Sequence, residues 1–161
     1  MDRQWSLEES TVVDAPPAVV YRLVSDLRNM GRWSPECRSV WVLRPPARTG
    51  TRFVGLNRRG PFLWPTLGRV TRMRPDSEFV FDIGVFGLPI ARWGYRFEPE
   101  GSGTRITEFW QDLRTGGARG RVAELLGTVF AGSNPARRVA LNRAGMRTTL
   151  ARIARTATSG S

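Results

Sequence analysis

At 161 residues, with 25 basic and 14 acidic side chains and a formal charge of +11, the chain is long enough for one domain with a real core and needs no covalent staple. Every basic residue is arginine and histidine is absent, which excludes Ser-His-Asp and Cys-His catalytic units, histidine-ligated zinc or iron, and a side-chain Schiff base. Cys37 is the single cysteine and cannot form an intramolecular disulfide, so acid–base chemistry falls to Asp, Glu, Tyr, Arg or bound water.

In chain order, Met1–Ser10 lacks the apolar core of a signal peptide, and no apolar run approaches the roughly 18 residues of a membrane span. A cytoplasmic protein is therefore expected. Trp5–Val13 alternates loosely and ends in two valines, which predicts a first strand. Asp14 precedes Pro16-Pro17, and Val20, Leu23, Val24 and Leu27 follow at helical spacing, predicting a capped amphipathic helix of about three turns. The Met30–Glu36 connection is cut short by Pro35, and its Trp33 and Glu36 are expected either to line a cleft or to be a tryptophan plugging the end of the core beside a solvated acid.

From Arg38 the period changes. Arg38–Leu43, Thr51–Arg58, Leu63–Met73, Glu78–Val85, Ala91–Glu98 and Thr104–Asp112 each suit a strand, and short Gly- or Pro-bearing turns between them imply an antiparallel meander. The following Arg114–Gly132 combines a helical Val122–Phe130 with breaking glycines and reads as a lid. Asn134 and Pro135 then give an N-cap and first-turn signal for a long helix to Ala157, with Val139, Asn142, Met146, Leu150 and Ile153 on one stripe. Residues 1–156 are expected to form a single domain, and 157–161 a disordered tail.

This order resembles the helix-grip fold of the START and polyketide cyclase/dehydrase superfamily, SRPBCC. The residues that carry the resemblance are Ala15–Tyr21, Met30–Glu36, Asn57–Gly60, Trp93–Pro99 and Gly103–Glu108. It implies an α+β fold in which a curved, seven-stranded antiparallel sheet grips the C-terminal helix, with two short helical segments after the first strand and a cavity between sheet and helix. Members of the superfamily include cyclases, dehydratases, lipid carriers and receptors, so the fold alone does not choose an activity.

Alternation along the strands then selects the side chains facing that cavity. Phe53, Gly55 and Asn57 share one face, as do Trp64, Thr66 and Gly68; Phe81, Trp93 and Tyr95 extend the lining, and Ile106, Glu108, Trp110 and Asp112 close it. With Trp33 from the connection and Met146 from the helix, the lining is apolar and aromatic with few polar groups, as a small-molecule pocket requires. Gly55 and Gly68 are expected to leave room for a ligand.

An inward Glu108 is costly unless partnered, and burial raises its pKa toward neutrality; Arg58, Tyr95 and Asn57 are its candidate partners. As a cyclase or dehydratase the protein uses Glu108 as acid/base, Tyr95 as proton donor or oxyanion partner, and Asn57 or Arg58 to polarise a carbonyl, with no metal or other cofactor. As a carrier or sensor it binds an apolar metabolite without turnover. A third reading takes the arginine excess as a phosphate- or membrane-attracting surface along the Arg137–Arg155 helix face; against it, basic and acidic residues are interspersed, and no nucleic-acid partner is expected. The oligomeric state is left open.

Overall fold

The computed structural model describes residues 6–114, Arg121 and residues 135–159. The strands are β1 (Ser6–Val13), β2 (Cys37–Val42), β3 (Arg52–Arg59), β4 (Phe62–Arg74), β5 (Glu78–Val85), β6 (Leu88–Glu100) and β7 (Gly103–Asp112). They form one seven-stranded sheet in the order β1-β7-β6-β5-β4-β3-β2, and every neighbouring pair is antiparallel. Between β1 and β2 lie α1 (Pro17–Ser25), a 3-10 turn over Leu27–Asn29 and α2 (Met30–Trp33); α3 (Pro135–Ser159) comes last. The helix-grip architecture expected from the sequence is the one observed.

Local chemistry moves some boundaries. Phe86 and Gly87 both take positive φ, 51° and 76°, so two residues turn the chain and β6 begins at Leu88 rather than at Ala91. Asp14 does not cap α1: Pro16 occupies that position without a side-chain bond, and Pro17 opens the helix, where a missing N–H leaves nothing unsatisfied. The expected cap residue of α3, Asn134, lies outside the described residues, as does most of Arg114–Gly132.

The C-terminal end also differs from expectation. Residues 157–159, expected to belong to a disordered tail, are helical, and Ala157 is buried in the core. The hydroxyls of Thr156, Thr158 and Ser159 donate to carbonyls four residues back, which satisfies these polar side chains inside the helix and lets the last turn continue.

Alternation sends Phe53, Val70, Phe79, Phe81, Phe97 and Ile106 inward against Leu150 and Ile153 of α3. Phe53 and Phe81 pack edge to face at 5.5 Å between centroids. A bulge between Val70 and Arg72 shifts the β4–β5 register by one, so that Met73 stands opposite Phe79 and packs against the core. At the far edge the buried Thr104 hydroxyl donates to the Ala15 carbonyl at 2.7 Å, tying β7 to the approach of α1.

Candidate functional site

Between the sheet and α3 lies a cavity of about 450 Å³. Its sheet wall is built from inward positions: Phe53, Gly55 and Asn57 of β3, Trp64 and Thr66 of β4, and Phe81 of β5. Trp93 and Tyr95 of β6 and Glu108 of β7 continue the wall, and Asn142, Met146 and Thr149 of α3 roof it. These α3 residues recur at four- and three-residue steps and so share one face of the helix.

The two inner-face glycines behave differently. A Cβ on Gly55 would stand 2.9 Å from the Thr66 hydroxyl, and this gap belongs to the cavity lining. Gly68 opens no space for a ligand, because the Phe53 ring already fills the place, only 2.0 Å from where a Cβ would be. That is a correction to the sequence reading: the second glycine makes room for core packing.

Tyr95 and Glu108 are direct partners in the β6–β7 register, and both residues belong to the cavity lining. The Tyr95 hydroxyl donates to Glu108 Oε1 at 3.1 Å, while buried Oε2 has no hydrogen-bond partner. Burial pushes the Glu108 carboxyl up to about 8, opposed only in part by the Tyr95 hydrogen bond. Burial, followed by the adjacent Glu108 charge, holds Tyr95 well above the ordinary tyrosine range. At neutral pH the pair is therefore mainly neutral. With Oε1 engaged by tyrosine, Oε2 is the carboxyl oxygen left without a partner.

Of the candidate partners for Glu108, Tyr95 takes the role and the other two bond elsewhere. The Asn57 side-chain amide donates to the Thr66 hydroxyl at 3.2 Å. Arg58 is exposed at the cavity rim, where its Nε donates to the Gly60 carbonyl at 3.0 Å. Strand parity explains its place: Asn57 points inward, so its neighbour points out.

Two expected lining residues lie behind the wall. Trp33 is 2% exposed and packs in the main core, plugging the end as the sequence also allowed. Trp110 packs with Leu7, Ala91 and Met146, and of these four only Met146 faces the cavity. Asp112 accepts two bonds from the Arg114 guanidinium, at 2.9 and 2.7 Å, and one from its backbone N–H at 2.9 Å, and is likewise no part of the lining.

Sequence reasoning offered Glu36 as a cleft residue but missed its partner at the rim and the polar roof. Arg138 of α3 donates to both carboxylate oxygens of Glu36, at 2.9 and 2.5 Å, and its guanidinium lies 5.6 Å from the Trp64 ring centroid. This clamp joins residues 102 apart in the chain, which local periodicity cannot reveal. Asn142 and Thr149 did carry a signal, as polar residues on or beside the buried stripe of a helix. Cys37 also lines the cavity; burial raises its thiol to about 11, so it serves as a small apolar group.

The arginine face of α3 is partly used within the fold. Arg143 and Arg147 both reach Glu9, at 3.0 and 3.4 Å, and Arg152 donates to the Trp33 carbonyl at 3.3 Å. Among the described residues no helix is long and apolar enough to cross a membrane.

Residues 4–158 match the sequence profile of a family described as polyketide cyclase / dehydrase and lipid transport. No curated protein matches the chain significantly. Among solved structures, the polyketide-cyclase-like protein Cgl2372 of Corynebacterium glutamicum is 27% identical, aligned over 97% of this chain and 93% of that one, with a TM-score of 0.63. The di-domain aromatase/cyclase BexL of the BE-7585A biosynthetic pathway is 19% identical over 95% of this chain and 50% of its own, with a TM-score of 0.66. TTHA0849 of Thermus thermophilus is 17% identical over 97% and 99%, again at 0.66. The last two share the fold.

Proposed function

We propose, since the chain belongs to the polyketide cyclase/dehydrase and lipid transport family, that its cavity binds an apolar, conjugated small molecule and that Glu108 acts on it as a general acid/base without a cofactor. The observation that carries this reading is the Tyr95–Glu108 pair, whose one unpartnered oxygen is buried in the lining of an otherwise largely apolar cavity. A ligand that is hydrocarbon throughout leaves Oε2 unsatisfied. A carbonyl or hydroxyl oxygen seated there accepts its proton.

In an aldol cyclisation, an enol carbon of the substrate attacks a carbonyl carbon; Glu108 gives the Oε2 proton to that carbonyl oxygen, and the proton released by the enol returns to the carboxylate. In the following dehydration, the same acid protonates the departing hydroxyl, the carbon–carbon double bond forms as the α-proton is lost, and that proton restores Glu108. Tyr95 stabilises the transient carboxylate through Oε1. Trp64, Trp93 and Phe81 hold flat rings by stacking and fold the substrate toward the acid. Arg58 stands at the rim and takes no part in these transfers.

A second reading, a carrier or sensor that binds without turnover, is favoured by the same predominance of apolar lining and by the fact that Glu36, the other acid of the lining, is held by Arg138, which leaves Glu108 without a second acid to work with. Both readings require saturable binding. With Trp64 and Trp93 in the wall, fluorescence titration with tricyclic aromatic ketones and with fatty acids is expected to give saturable, salt-insensitive quenching, strongest for the ketones. Absence of saturable quenching by any member of the panel would remove both readings.

A further inference from the structure

Among the described residues eight large hydrophobic side chains are exposed, and six of them belong to the β2–β3–β4 side of the sheet and to the β5–β6 turn. Trp41, Leu43, Leu63 and Leu67 are each more than half exposed. The register sets Trp41, Val54 and Leu67 side by side across β2, β3 and β4. This row lies on the outer face of the sheet, opposite the cavity, because the next residues Val40, Gly55 and Thr66 line the cavity. Leu56 and Pro65 form the next row, and Arg58 with Leu63 the one beyond it.

Two hydrophobic turns lie past the Leu67 row, on its Arg58–Leu63 side. Phe62, 40% exposed, opens β4, and Phe86, 67% exposed, stands at the β5–β6 turn with φ of 51°, a region that disfavours a bulky side chain. Pairing of Leu67 with Gly84 brings both turns to one end of the sheet. That is also the end of the cavity rim, since Arg58, Arg59 and Gly60 of the β3–β4 hairpin line the cavity.

Charge selects the occupant of this surface. The paired Arg52 and Arg69 flank the apolar rows on one side and Arg58 on the other, and the first acid in these rows, Asp82, is already held by Arg92 at 2.8 Å. A second copy packed by a two-fold axis on this face sets the arginine rim against itself. An anionic lipid surface complements both parts, with arginines at the headgroups and tryptophan, leucine and phenylalanine at the boundary of the acyl chains.

We propose that this outer face and its two hairpin turns dock shallowly on an anionic bilayer, placing the cavity mouth beside the lipid. Docking itself does not depend on the reaction assigned to the cavity; only the exchange of an apolar ligand with the membrane rests on that reading.

The test is flotation of the full chain with phosphatidylcholine vesicles and with vesicles that also contain phosphatidylglycerol. Comparison with the Leu63→Ser/Leu67→Ser double variant, and separately with Phe86→Ser, leaves net charge untouched. The wild type is expected to float with the anionic vesicles only, and each variant to partition about tenfold more weakly or worse while binding aromatic ketones unchanged. Failure to float with either vesicle overturns the proposal. So does equal flotation of the variants, which means adsorption by net charge alone, or equal flotation with neutral vesicles. A wild type that is dimeric by light scattering, and made monomeric by Leu63→Ser/Leu67→Ser, assigns the face to a second copy instead.

Discussion

Glu108→Gln is expected to lower turnover of a poly-β-ketone or β-hydroxy ketone substrate by about 10²–10⁴-fold while leaving ligand affinity within a few-fold. Glutamine keeps the shape of the side chain and can still accept from Tyr95 at one oxygen, so the cavity wall is preserved. It loses the carboxyl proton that the proposed reaction transfers, at the residue whose Oε2 has no partner. Because the acid must be protonated to act, the wild-type rate is expected to decline as pH rises through about 8. Steady-state kinetics and equilibrium binding on the same two proteins measure both halves of this statement. A variant that binds and turns over like the wild type assigns the chemistry elsewhere; a wild type that binds without turnover makes the protein a carrier.

The second large effect is on stability. In the folded chain Glu108 titrates near 8, against an ordinary value of 4.5. Below about 4.5 the carboxyl is neutral in both states. As pH rises from there toward 8, the unfolded chain gives up this proton while the folded one keeps it, so folding becomes less favourable; above 8 the folded chain must hold a buried carboxylate and the loss is complete. The difference between about 8 and 4.5 corresponds to a loss on the order of 5 kcal/mol, an upper figure for one buried group. Glutamine does not titrate. Relative to the wild type, Glu108→Gln is therefore expected to gain stability steadily between about pH 5 and about pH 9, as read from urea unfolding midpoints. Parallel pH profiles for the two proteins would show that the carboxyl is not held neutral by the fold.

Much of this architecture was legible in the residues because it rests on local rules. Period-two alternation in Trp93–Phe97 and Thr104–Trp110 identified which side chains turn inward, and with them the Tyr95–Glu108 pairing became available. Alternation names a face, however, and says nothing about what lies beyond it. Trp110 shares the inward parity of Glu108, yet it packs with Leu7, Ala91 and Met146 outside the cavity, because the depth of a wall depends on what packs from the opposite side. Gly68 is the same lesson in reverse: the space it leaves is taken by Phe53, a partner fixed by the β3–β4 register. The Arg138–Glu36 clamp at the rim joins α3 to the approach of β2, and no spacing rule connects two residues so far apart. The tail was misjudged for a different reason: its small polar residues read as disorder, and their hydroxyls instead bond to carbonyls of the helix they prolong.

The most direct test is a pH titration of the side-chain carboxyl carbons by NMR on uniformly labelled protein, with the Glu108 signal assigned by its loss in Glu108→Gln. The account predicts a midpoint near 8, moved further up in Tyr95→Phe because the hydrogen bond that favours the carboxylate is gone, and displaced again when a tricyclic aromatic ketone fills the cavity. A midpoint near 4.5, unaffected by Tyr95→Phe or by the ketone, would contradict it: Glu108 would then be a solvated carboxylate rather than the proton-bearing group of a closed apolar site.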